Sequence, residues 1–417
     1  MRRASGRRLA GPIAPLLLLA LALAGCQPRE RRERSAVLQI SIGINSDRGF
    51  SASTLRDYSQ TLQVVSEGYR ELYPRVQLRH TLFPEEALPS QLQRRSRAGL
   101  GPDLIVTNGS TAALLHQRGL SRSVSLPPAL RRQIEPVALQ RLSLPDGRLI
   151  GLPLTLDPQF ACFNRRRLAA SPSTLSQLLS PSRPGPRVGL WLDAESLYWS
   201  AGAFGADDAL LARESGLPVS AAARQRLLDW LDWLQTASRR DNLVAYVSYD
   251  SLIEDFLRDR LDWIPCRSLS LPRLRERLGT RLGVAPLPRG PHGAATPLAR
   301  LRVIAFGTGS TPLQRELADQ LGLLTQYPVN QRALIQRSLA SLPVNRLVTT
   351  SGVEGPLGLA VREARRQMVV GPQQLSLLAS ASEAAPIFAD TMIELVFGQL
   401  TVPAAAEALL AAGRQSR

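Results

Sequence analysis

The sequence predicts an α/β protein, and three observations predict it. Residues 37–44 alternate, with Leu38, Ile40, Ile42 and Ile44 on one face and Gln39, Ser41 and Gly43 on the other, which is strand periodicity. Leu55, Tyr58, Leu62, Val65, Tyr69 and Leu72 then recur at helical spacing, and Pro74 closes the helix. Val76, Leu78, His80 and Leu82 alternate again, residues 86–98 return to helical spacing, and Gly99 and Gly101 lead into a short apolar run at 103–107. Such a run is typical of a buried parallel strand. A β-α-β-α-β order implies a parallel sheet covered by helices. Ligands of such sheets sit beyond the carboxyl ends of the strands, here residues 45–50 and 108–111.

A second α/β stretch begins near residue 150. Residues 149–163 are apolar and extended, a Pro/Ser/Gly-rich loop follows at 180–186, and 188–192 reads as a strand. Residues 224–236 read as a helix with Leu227, Leu231 and Leu234 on one face, flanked by Trp230 and Trp233, which are read as packing. The sequence contains no internal repeat.

Composition narrows the function. The 417 residues are 44% hydrophobic and 20% charged, which excludes a disordered polyelectrolyte. Lys+Arg total 51 against 34 Asp+Glu, a formal charge of +17, and every strong base is an arginine. A basic chain invites a nucleic-acid reading. The arginine clusters at 94–95, 131–132, 165–167 and 239–240 are scattered, however, without interleaved aromatics or a nucleic-acid motif, so no nucleic-acid partner is expected. Three cysteines exclude a disulfide-built scaffold, and three histidines, His80, His116 and His292, have no ligand spacing with one another or with cysteine, so no metal site is expected. Cofactors are not called for.

The amino terminus has the anatomy of an export signal. Arg2, Arg3, Arg7 and Arg8 precede an apolar run at 11–24 that Pro12 and Pro15 interrupt and that is too short for a spanning helix. Leu23-Ala24-Gly25-Cys26 resembles a bacterial lipoprotein processing box, which makes residues 1–25 the signal peptide, Cys26 the lipidated residue and 26–35 a basic tether. The body is then expected outside the cytoplasmic membrane, anchored by lipid.

Several segments, in order, resemble the extracellular solute-binding proteins of family 1, whose members bind maltose and other sugars for ABC importers. Residues 99–105 (GLGPDLI) resemble the family's G-x-x-PD strand, and 146–153 (DGRLIGLP) followed by Phe163-Asn164 resemble its DGK-x-x-G-x-P … YN crossover. Residues 283–288 (GVAPLP), Leu342-Pro343-Val344 and 398–410 resemble its later crossovers and closing helix. Residues 256–264 fit its F-x-x-G-x-x-A-M segment more loosely, with Asp259 for the glycine and Asp262-Trp263 for Ala-Met. The resemblance covers 36–417. It implies a periplasmic-binding-protein type II-like α/β fold: two lobes joined by hinge crossovers around a ligand cleft, lobe one at 36–154 plus 290–342 and lobe two at 155–289 plus 343–417. It further implies a monomer that performs no chemistry, takes a small solute, most simply a sugar or oligosaccharide, and delivers it to ABC permease subunits. An anionic or phosphorylated polyol, or delivery to a sensor instead of a permease, are the alternatives. A glycosidase-like carboxylate pair is the competing enzyme reading, but the sequence carries no Gly-x-Ser-x-Gly elbow, phosphate loop or His-Glu-x-x-His.

A polyol site needs planar polar groups for paired hydroxyls and an aromatic face for the C–H surface of a ring. Position and resemblance select Asp47 and Arg48 after the first strand, Asn108 and Ser110 after the third, and Asp157 beside Pro158 in the first crossover. In lobe two they select Glu195, Ser196 and Trp199, with Trp199 as the stacking platform, and Arg267; Arg300 is added from lobe one. A guanidinium in the cleft would suit a phosphate or carboxylate on the ligand. Cys162 and Cys266 lie on segments that could be neighbouring strands, and a disulfide and two buried thiols both stay open.

Overall fold

The computed structural model describes residues 34–44, 66–179, 185–214, 217–336, 341–349, 355–370 and 384–411. Cys26, Asp47 and Arg48 lie outside them. Within the first lobe the strands are β1 (Ala36–Ile44), β2 (Val76–Pro84), β3 (Leu104–Asn108), β4 (Ser121–Arg122) and β5 (Leu152–Asp157). The second holds β6 (Gln159–Asn164), β7 (Val188–Trp191), β8 (Leu243–Tyr246), β9 (Trp263–Arg267) and β10 (Leu282–Ala285). The chain then returns to the first sheet as β11 (Arg300–Gly307) and β12 (Leu342–Pro343).

The first sheet has the order β12-β5-β11-β3-β1-β2, with β4 beside β11; the second has the order β10-β6-β9-β7-β8. β1 runs parallel to β2 and β3, while β11 is antiparallel to both β3 and β5. β5 therefore points the same way as β3, and the returning strand is wedged between them. In the second sheet β7 is parallel to β8 and β9, and β6 is antiparallel to β9. One residue, Pro158, separates the end of β5 from the start of β6. Hence the carboxyl-end edge of the first sheet meets the carboxyl-end edge of β9, and the two edges flank the crossover.

The alternation of β1 is buried as expected, with Leu38 and Ile42 fully enclosed. β2 is an edge strand, and its His80, on the inward-alternating positions, stays exposed there. One apolar cluster joins the first lobe to one face of the second sheet through Phe160, Cys162, Ile264 and Cys266. Another fills the opposite face with Ala161, Phe163, Trp199, Trp230 and Trp263. The helix over 224–236 starts earlier, at Ala221–Ser238, because the Ser220 hydroxyl accepts the Ala223 N–H and caps it. Leu227, Trp230, Leu231 and Leu234 of that helix are buried at i, i+3, i+4, i+7 spacing. Trp230 is fully enclosed and donates to Ser200 Oγ at 3.0 Å, whereas Trp233 is only half-buried.

Cys162 and Cys266 form a disulfide across β6 and β9, with Cα atoms 5.7 Å apart. They are diagonal partners in the ladder, since Cys162 faces Ile264 and Cys266 faces Phe160.

Asp259, where the resembling motif has glycine, is the only non-glycine with positive φ (59°) among the described residues. A Cβ in this left-handed region crowds the carbonyl oxygen and costs about 1–2 kcal/mol. The aspartate offsets that cost with its carboxylate, which accepts Asn164 Nδ2 at 2.6 Å and the Arg281 guanidinium at 3.0 and 3.1 Å. Asp259→Ala keeps the strain and loses these bonds, while Asp259→Gly loses the bonds and the strain together. The alanine chain is expected to be less stable than the glycine chain by about 1 kcal/mol in urea unfolding; equal midpoints would contradict this account.

Candidate functional site

The first-lobe edge is built on a buried ion pair. Glu85 follows β2 and reaches back over the ends of β1 and β3, where Arg302 of β11 meets it at 3.1 Å. Both are nearly enclosed, at 5% and 6% exposure. Glu85 also accepts the Thr107 hydroxyl at 2.5 Å and the Asn108 N–H at 2.9 Å, and Arg302 donates to Asn108 Oδ1 at 2.9 Å and Gly43 O at 2.8 Å. Gly43 is required here, because a Cβ at that position would stand 2.0 Å from Glu85 Oε2. Burial pushes the Glu85 carboxyl up, but the Arg302 charge and the donors of Asn108, Thr107 and Thr111 outweigh it and hold the carboxyl below the ordinary glutamate value.

Asn108 is thus placed at the end of β3, but its amide oxygen is turned to Arg302 and not to the following helix, Gly109–Gln117, which it leaves without a side-chain cap. Ser110 is half-buried in the first turn of that helix. Asp157, at the end of β5, is 3% exposed and its Oδ1 accepts the Ser341 hydroxyl at 2.5 Å. That bond links the first crossover to the segment entering β12. Arg300, half-buried, opens β11 directly opposite Asp157 in the ladder.

The second-lobe edge is built around Arg267, the last residue of β9. Its guanidinium is 5.2 Å above the Trp191 ring and 5.8 Å from Tyr249, whose rings are tilted at 46° with centroids 5.2 Å apart. Arg267 donates to Ser196 Oγ at 3.3 Å and lies 3.5 Å from the Asp193 carboxylate. Asp193 in turn caps the helix Ala194–Ala203 by accepting the Ser196 N–H. Cation, cap and two rings interlock, so the charge of Arg267 is buried (4% exposure) beside an opposing carboxylate. Glu195 is in the first turn of this helix, and its side chain lies outside the described residues.

Trp199 sits a turn further along the helix, fully buried, with its ring 6.0 Å from Trp263 at 55°. In this position it packs the lobe interior. Trp191, half-buried at the carboxyl end of β7, is the indole at the strand edge. Gln159 opens β6 opposite Arg267, and Ser268 donates its N–H to Pro158 O at 3.0 Å. Gln159 Oε1 and Ser268 Oγ are buried there without a hydrogen-bond partner in the described structure.

The fold therefore brings Asp157, Arg300, Ser196 and Arg267 to the two facing edges, sets Asn108 and Ser110 at the end of β3, and sets Trp199 apart in the core. Trp191, Asp193, Gln159 and Ser268 are edge residues that the sequence reasoning missed. The signal for Trp191 and Asp193 was present: they end the strand over 188–192 and open a helix. Arg302 was also missed, although an arginine inside the apolar run Leu301–Gly307 has to find a buried partner. Among the described residues no cluster of three or more His, Cys, Asp or Glu could hold a metal ion, and no helix is long and apolar enough to cross a membrane.

No family model matches the sequence, and no curated protein sequence matches it. Solved structures do match the fold. The chain is similar to a cyclo/maltodextrin-binding protein complexed with maltotetraose (TM-score 0.69, 16% identity, 92% of this chain and 98% of that one). It is similar to the maltodextrin-binding protein of L. casei BL23 without ligand (TM-score 0.71, 13% identity, 92% and 99%). It is also similar to the GacH receptor of Streptomyces glaucescens, solved unliganded and with acarbose (TM-score 0.70, 16% identity, 92% and 98%). At these identities the likeness is one of fold: two α/β lobes of the periplasmic-binding-protein type joined by chain crossovers.

Proposed function

We propose that the chain is an extracytoplasmic solute-binding protein of family 1, which captures a neutral sugar or oligosaccharide between its lobes and delivers it to an ABC importer. The observation that carries the ligand class is the state of the edge arginines. Arg302 is matched by Glu85 and Arg267 by Asp193, so neither guanidinium offers the cleft an open charge for a phosphate or carboxylate. Beside them the edges carry Trp191, Gln159, Ser268 and Ser110, with Ser196 engaged by Arg267, Asp157 by Ser341, and Arg300 opposite Asp157, an aromatic face with hydroxyl and amide groups that suit a polyol. Asp47, Arg48 and Glu195 are proposed to complete the set. In support of a two-lobe division, the strands change sheet after Asp157 and again between Ala285 and Arg300, and the helices that follow Pro343 pack mainly on the second sheet and its helices. The fold likeness to maltodextrin and acarbose binders supports the reading. The 162–266 disulfide supports an oxidising compartment, in keeping with export and lipidation at Cys26.

An anionic polyol is the second reading, favoured by Arg300 at the first-lobe edge. A thermal-shift screen of maltodextrins, monosaccharides, sugar phosphates and organic anions separates the two. A sugar at about 100 times its dissociation constant should add about 2.7 kcal/mol of stability and raise the melting temperature visibly. A shift with sugar phosphates alone would replace the first reading by the second.

A further inference from the structure

The second lobe contains another cavity, of about 640 Å³, lined by none of the edge residues described above. It lies between helix Ala221–Ser238, the short helix Leu175–Leu178 and residues 289–291 of the return crossover. Trp233 forms an aromatic wall, tilted at 43° on Phe204 with centroids 5.7 Å apart. Trp199, Trp230 and Trp263 are fully enclosed, and Trp233, three residues beyond Trp230, is half-buried like Trp191 at the strand edge. Asp229 and Asp232, four and one residues before Trp233, are exposed beside it, and Arg240 and Arg289 also line the cavity.

The walls are fixed. Arg289 donates its N–H to Ser173 O at 2.8 Å and accepts the Leu175 N–H at 2.9 Å, and Arg240 donates to Leu179 O at 2.8 Å. Gly290 is packed so closely on Ala203 that a Cβ would stand 2.3 Å from its carbonyl oxygen. The volume falls within the range of small-molecule sites, about 300–1,000 Å³. An aromatic face takes the C–H surface of a pyranose ring, while carboxylates accept from hydroxyls and guanidinia donate to them in planar pairs. With two groups of each sign, the lining suits a neutral polyhydroxylated ligand better than an ion.

We propose that this cavity is a second carbohydrate site, in which a sugar unit stacks on Trp233 and pairs its hydroxyls with Asp229 and Asp232. The site stands on its own lining and does not require the cleft to bind sugar. The test is calorimetric titration of the full-length chain with maltotetraose, alongside Trp233→Ala, Asp232→Asn and, for the cleft, Trp191→Ala. Two sites are expected in the unaltered chain; Trp233→Ala and Asp232→Asn should each weaken one of them at least tenfold and leave the other. Because Asp232 is exposed, its asparagine variant decides the matter if the alanine variant does not fold. A single site that is lost with Trp233→Ala and kept with Trp191→Ala would sink the cleft reading and uphold this one. Two sites that both survive, a single site that survives Trp233→Ala, or no binding at all would overturn the second site.

Discussion

In an Arg302→Met chain the free energy of unfolding is expected to fall by about 3–5 kcal/mol at pH 7, the cost typical of leaving one member of a buried pair uncompensated. Methionine matches much of the arginine's apolar stem but supplies none of its donors. It leaves Glu85 charged and enclosed, and it strips the bonds to Asn108 Oδ1 and Gly43 O at the ends of β3 and β1. The pH dependence gives the sharper result. In the native chain the Glu85 carboxyl is held below its ordinary value, because Arg302, Asn108, Thr107 and Thr111 outweigh the upward push of burial. A carboxyl depressed on folding contributes stability that is present above the unfolded value, about 4.3, and is lost as pH falls through the folded value. The native chain should therefore lose stability on acidification below that range. Without Arg302 burial dominates, the folded value moves above the unfolded one, and the variant should gain stability as pH falls from 7 toward 5. All five tryptophans lie between residues 191 and 263, in the second lobe, so far-ultraviolet circular dichroism and not indole fluorescence is the probe. Native-like unfolding curves for the variant at pH 7 and pH 5 would show that this pair does not hold the edge together.

The residues that made this edge legible, and those that did not, differ in how far their partners lie along the chain. The alternation of β1 and β2 and the apolar run of β3 are local patterns, and local periodicity is enough to find a parallel β-α-β unit. β11 is different. Its antiparallel place between β3 and β5 is set by pairing across roughly two hundred residues to β3 and roughly one hundred and fifty to β5, and nothing within its own eight residues encodes that. Arg302 disappeared with it, since its meaning lies in Glu85, 217 positions away. At the cleft, Arg267 was singled out by the resemblance of its segment, but its role was not legible. The sequence gives a charge, and only the three-dimensional arrangement reveals that Asp193, Trp191 and Tyr249 enclose it. Trp199 illustrates the same limit in reverse. Trp191 follows Leu190 and Trp199 follows Tyr198, so the preceding residue does not tell them apart, and only the distance from the strand end separates an indole at the edge from one in the core.

Replacing Cys162 and Cys266 together by alanine is expected to lower stability by about 2–5 kcal/mol, and the loss should appear first in tryptophan fluorescence. The bond joins positions 104 residues apart, and closing a loop of that order removes about 4.7 kcal/mol of chain entropy from the unfolded state in the simplest model. Alanine is the right substitute because both positions are fully buried, where a serine hydroxyl would add a polar group without a partner. The geometry ties this stability to the binding edge. β6 starts one residue after Pro158, β9 ends in Arg267 directly after Cys266, and the bond crosses the ladder diagonally between them. Loosening β9 frees Arg267 to leave Trp191 and Asp193, so affinity for the cleft ligand should fall along with stability. The two losses are separable, because a temperature well below the melting transition leaves the variant folded while its binding is measured. Complete enclosure of both cysteines also predicts that a mild reductant leaves the native chain oxidised, whereas the same reductant added during unfolding yields the lower midpoint of the alanine pair. A fluorescence midpoint unchanged by the double substitution would mean that the β6–β9 ladder holds without its covalent link.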